Sequence, residues 1–184
     1  MKKIISISLV LISIQIAFVI GAAYNCFSQD IPKIVRLTNK YLKNGDFKNL
    51  TSLYRLPSYF SESKIIEERQ GIEDALNLLS NEFGSISDLN VNQEKVKWIN
   101  LEIIGGDVDF VKSNPNFTQY VFKVNFSKLG NGFIIIRLYE NKANPKIRSV
   151  GYALTDSPQN RDVIKHIGKK LMNLMFPQPK SKKI

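Results

Sequence analysis

The sequence predicts an α+β domain: N-terminal helices packed on one face of a curved four-stranded antiparallel meander, plus a C-terminal amphipathic helix. Three observations predict it. Apolar residues recur at helical spacing before residue 85 and at strand spacing after it. Short turn-forming clusters divide the strand runs. A second helical pattern, opened by Ser157 and Pro158, follows the last strand.

Residues 1–28 precede the domain. They hold Lys2 and Lys3, an apolar run over 4–23 and no acidic residue. A positive start, an apolar centre and a small-residue exit make an export leader, with scission before Tyr24 or before Gln29. The expected location is therefore periplasmic or secreted. A run of 20 residues also suits a retained membrane anchor through 4–23. Ser6, Ser8, Ser13 and Gln15 dilute it and favour removal. Cys26 invites lipid attachment, but Asn25 directly before it is not the small residue that modification wants.

Ile34, Leu37, Tyr41 and Leu42 make one face of a helix over 30–44, with Asp30 as its cap and Asn44-Gly45 as its left-handed stop. Asp46 then caps a short helix over 47–54, ended by Pro57. A third helix runs over 63–83, buried through Ile72, Ala75, Leu76, Leu79 and Phe83 and closed by Gly84. Gly71 inside it costs about 1 kcal/mol against alanine.

The period then changes to two. Strands are predicted over 98–104, 119–127, 132–140 and 147–155, separated by 113–116, by Gly130-Asn131-Gly132 and by 141–145. Short turns force antiparallel pairing, because a parallel crossover needs a dozen or more residues. In the tail, Val163, Ile164, Ile167, Leu171, Leu174 and Met175 form an apolar stripe, and Pro177 and Pro179 end the helix.

One family resembles this order of elements. Tyr41 to Phe47 (YLKNGDF), Glu82 to Ile86 (EFGSI) and the strand series ending Ser149-Val150-Gly151-Tyr152 are similar to the NTF2-like (cystatin-like cone) superfamily over most of 30–155. The resemblance implies a cone closed by the helices. It transfers no catalytic motif. The division it suggests is a leader at 1–28, an NTF2-like domain at 29–156 and a basic helical tail at 157–184.

The chain less its leader is long enough for one domain with a single core. Cys26 and His166 are each the only residue of their kind. No intrachain disulfide, Cys/His zinc centre or histidine-dependent triad has the material it needs. The net charge of +10 is unevenly placed. Residues 29–156 hold 17 basic and 15 acidic side chains, whereas 157–184 hold seven basic and one acidic. A folded basic stripe for nucleic acid is not present. The basic tail instead suits either solvent or an anionic membrane surface.

The candidate pocket of the cone comprises Tyr54, Tyr59, Phe60, Tyr120, Phe122 and Tyr152, aromatic groups fit for a small apolar ligand or for plain core packing. No carboxylate or histidine falls on the inward strand positions, which disfavours an enzyme such as an isomerase, dehydratase or hydrolase. No catalytic residue, metal ligand or cofactor is assigned. Asp107 and Asp109, beyond Gly105-Gly106, are too few for a cation site and read as a solvated edge. Trp98, Phe133, Ile135 and Tyr139 would form an apolar patch on the outer sheet face. Three covers suit it: a second copy, an envelope protein, or the C-terminal helix, which the apolar stripe favours. Arg137 can pair with Glu102 across that face. The expected role is a non-catalytic ligand- or protein-binding module.

Overall fold

A computed structural model describes residues 12–15, 31–92, 97–106, 108–139 and 144–176. Helix α1 (Lys33–Asn44) starts after Pro32 and stops at Gly45, whose φ of 66° lies in the left-handed region. The predicted cap Asp30 lies outside the described residues. Asp46 caps α2 (Phe47–Thr51): its Oδ1 accepts from the Asn49 backbone N–H at 3.3 Å and its Oδ2 from Asn49 Nδ2 at 2.7 Å. This helix is shorter than predicted, because residues 53–55 leave it to pair with a strand. Ile147 N–H donates to Leu53 O at 3.0 Å and Arg55 N–H to Ile147 O at 3.1 Å. Helix α3 (Glu62–Phe83) opens on Ser61, which accepts from Lys64 N–H, and runs through Gly71 to Gly84.

The sheet corrects the expected meander. Its order is β1 (Ile12–Gln15), β3 (Trp98–Ile104), β6 (Ile147–Thr155), β5 (Gly130–Tyr139), β4 (Phe117–Phe126), β2 (Ile86–Val91), every neighbour antiparallel. Five strands form its body and the short β1 extends one edge. Only β4, β5 and β6 run as a meander. Strand β3 lies beyond β6 rather than beside β4, because the stretch between β3 and β4 is long enough to carry helix α4 (Val108–Ser113) across the end of the sheet. Phe110 of α4 meets Tyr139 of β5 at 5.6 Å, and Arg148 of β6 donates to Asn114 O at 2.6 Å.

Strand β2 was not predicted, and its irregularity explains why. A bulge between Ser87 and Asn90 breaks the pairing with β4, and Asp88 takes a φ of 54°. The extra residue destroys the two-residue alternation that sequence patterning relies on.

One core lies between the helices and the inner sheet face. Val35, Leu50, Ile72, Leu76, Leu79 and Phe83 meet Leu101, Ile103, Ile134, Ile136, Val150 and Tyr152. Helix α5 (Pro158–Met175), capped by Ser157, joins that same core through Ile164, Ile167 and Leu171. It packs against α3, β3 and β6. The expectation that this helix covers the outer face is therefore corrected. The inner face beside α3 takes its stripe, and Lys170 fixes it there with a 2.7 Å ion pair to Glu82. The tail helix is part of the domain, not an appendage.

Candidate functional site

The six aromatic pocket candidates do not form one lining. Tyr54, Phe122 and Tyr152 are buried in the core, Tyr120 and Phe60 are half-buried, and Tyr59 is exposed at 68 %. Tyr59 and Phe60 touch each other edge-on at 5.2 Å near the surface. Inside, Phe83, Phe126 and Tyr152 pack ring on ring at 4.8–5.8 Å, so the interior is filled where these three meet.

Two phenols in that interior are chemically distinctive. Tyr54 Oη donates to Ile103 O at 3.2 Å, and Tyr152 Oη has no hydrogen-bond partner among the described residues. Burial raises the pKa of both, with the Glu102 charge adding to the effect on Tyr54. Each stays a neutral phenol at physiological pH.

The outer face carries two adjoining groups. Phe133, Ile135 and Ala153 are buried together with half-buried Trp98 and Val121, and the Trp98 and Phe133 rings lie 5.7 Å apart. Tyr139, the fourth predicted patch residue, belongs elsewhere: it packs on Phe110 and under the Arg148 guanidinium. The apolar group is built from sheet residues only, since all the helix residues of the two core clusters belong to the inner one.

Beside it runs a polar row through four strands. Glu102 on β3 pairs with Arg137 on β5 and accepts from Ser149 Oγ on β6. Arg137 Nε donates to Gln119 Oε1 on β4 at 2.9 Å. Glu102, Arg137 and Ser149 are all buried. Such a pair is tolerable in the interior only because every partner is hydrogen-bonded. The Arg137 and Arg148 guanidinium groups also stand over the Phe117 ring at 5.3 Å and 5.0 Å. Asn100, one pair of residues along β3, is 1 % exposed, and neither atom of its amide has a hydrogen-bond partner among the described residues.

Sequence reasoning missed two groups. Asn100 sits in an alternating strand and reads as outward and solvated. Glu68 of α3 is buried, with Oε1 3.3 Å from Lys64 Nζ. It lies one turn before Ile72 on the buried stripe, and that spacing was the available signal. Among the described residues no group of three or more Asp, Glu, His or Cys side chains gathers to hold a metal ion. The side chains of Asp107 and Asp109 lie outside the described residues. No described helix is long and apolar enough to cross a membrane. No family model, curated protein or solved structure matches the chain.

Proposed function

We propose that this chain is an exported, non-catalytic protein-binding module of the cell envelope, NTF2-like in build, that docks through the outer face of its sheet. The observation that carries the reading is the composition of that face. An apolar group of five residues, of which Trp98 and Val121 are the half-buried members within reach of a partner, adjoins a buried ion-pair row, and the helices of the core pack on the opposite side. Aromatic and arginine groups beside desolvated charges are what specific protein interfaces are built from. Removal of the leader at 1–28 would deliver the domain outside the cytosol. The basic tail supports a membrane surface less well, because Ile164, Ile167 and Leu171 are already in the core.

A small apolar ligand remains the second reading, favoured by the unpartnered Tyr152 hydroxyl inside the core. An enzyme built on the cone has no such support among its inward strand residues.

Photo-cross-linking in the host tests the first reading. A photoreactive residue in place of Val121, with one at Ile66 (69 % exposed on α3) as control, should give a discrete adduct at the first position only. An adduct of two copies identifies a homodimer through this face. Absence of any adduct at 121, or equal labelling at both, overturns the outer face as the docking surface.

A further inference from the structure

The two edges of the sheet are unlike. Strand β2 forms one edge and is guarded: it is bulged, twisted at Asp88 and lined by exposed Ser87, Asp88 and Asn90. Strand β3, Trp98–Ile104, carries no proline, lysine or bulge in its pairing with β6. Its other side is occupied by β1, with Ile12 opposite Ile103, Ser13 opposite Glu102, Ile14 opposite Leu101 and Gln15 opposite Asn100.

Those four residues lie inside the segment read as the export leader. A chain cut before Tyr24 or Gln29 loses β1, and β3 becomes an open edge with a row of unpaired N–H and C=O groups. We propose that the β3 edge is a strand-acceptor site, filled in the mature protein by one extended antiparallel segment of a partner protein. This rests on the leader-removal reading above.

Two independent observations specify the occupant. The edge already holds a strand in a defined register, with isoleucines at the places facing Leu101 and Ile103, both core residues. Asn100 is buried, neither atom of its amide has a hydrogen-bond partner among the described residues, and it lies opposite Gln15 in that register. An unmet buried amide costs about 1–3 kcal/mol, so a partner side chain that hydrogen-bonds it gains affinity and sets register. The partner segment therefore alternates apolar and polar residues, with a hydrogen-bonding side chain other than glutamine at the Gln15 place, since Asn100 is unbonded among the described residues with Gln15 opposite it. Main-chain bonds supply the rest of the affinity, as in other strand additions.

Trp98, the only tryptophan, begins β3 and reports on the edge. Protein purified from its host's envelope is first weighed intact, which reads its N-terminus. It is then titrated with a synthetic peptide of residues 11–16 carrying two added lysines for solubility. The expected result is a mass without residues 1–28 or 1–23 and a saturable change in Trp98 fluorescence. A peptide with Ser13→Pro and Ile14→Pro should not bind, since it lacks two donors. A cleaved protein that shows no saturable change, or binds the proline peptide equally, overturns the acceptor site alone. A mass that includes residues 1–28 overturns the leader reading, and with it a partner strand, because the edge is then permanently filled.

Discussion

Arg137 and Glu102 form their ion pair over β6, the strand that separates theirs. Small residues make the reach possible. Ser149 stands opposite Arg137, and Gly151 stands opposite both Glu102 and Ile135. A large side chain at either place would stand between the two charges.

Removing one member of the pair leaves the other buried and uncompensated. Arg137→Met should lower stability by about 3–5 kcal/mol. The double change Glu102→Leu with Arg137→Met should recover most of that loss, because an apolar pair needs no desolvation. Urea denaturation of the three proteins measures both effects. A single variant that loses less than about 1 kcal/mol would mean that the pair is effectively solvated.

The buried phenols predict an alkaline limit. The unfolded chain releases the Tyr54 and Tyr152 protons near the ordinary value of 10.0, while the raised folded pKa values keep them bound. Above pH 10 the unfolded state binds fewer protons, so stability falls as pH rises and is fully present below that point. The slope is about 1.4 kcal/mol per pH unit for each phenol. Denaturation midpoints between pH 8 and 11.5 should flatten in Tyr152→Phe relative to the natural protein. Identical slopes would place that phenol within reach of water.

Glycines 105 and 151 should respond differently to alanine. A Cβ on Gly105 would lie 2.4 Å from Tyr54 Cδ1, within a ring whose hydroxyl is held by Ile103 O. Gly105→Ala should cost about 1–3 kcal/mol through displacement of that ring. On Gly151 the nearest atoms stand at 3.4 Å, close to ordinary contact, and the cost should be well below that of Gly105→Ala. Thermal denaturation of the two variants ranks them, and the reverse order would contradict the packing around Tyr54.

Helix α5 should behave as core. Leu171 is fully buried, so Leu171→Ala should cost about 2–5 kcal/mol. Lys169→Ala, on the exposed side, should leave stability within about 0.5 kcal/mol. Chemical denaturation distinguishes the two. A neutral Leu171→Ala would detach the helix from the domain.

Regular elements with intact periodicity were legible in the sequence. Every residue of the predicted α3 face is buried, and Asp46, Ser157 and Gly45 end or begin helices as their chemistry requires. What escaped was whatever depends on contacts distant in the chain. The position of β3 follows from its fit beside β6, which no local pattern encodes. The bulge hid β2, and the destination of the α5 stripe depended on which surface the other helices left open. Of the candidate site, the Glu102–Arg137 pairing was readable from strand alternation. The burial of that pair and of Asn100 was not, since an alternating polar residue reads as solvated.

The placement of β3 next to β6 also orders events during synthesis. The ribosome makes α1, α2, α3, β2 and β3 before any strand that β2 or β3 pairs with among β4, β5 and β6. Glu102 and its register partner Gly151 are separated by α4 and the whole β4–β5 hairpin. Until those strands emerge, Ile72, Leu76, Leu79, Leu101 and Ile103 have no sheet to cover them. The nascent chain thus exposes the apolar face of α3 for tens of residues of elongation, the condition in which a holding chaperone binds.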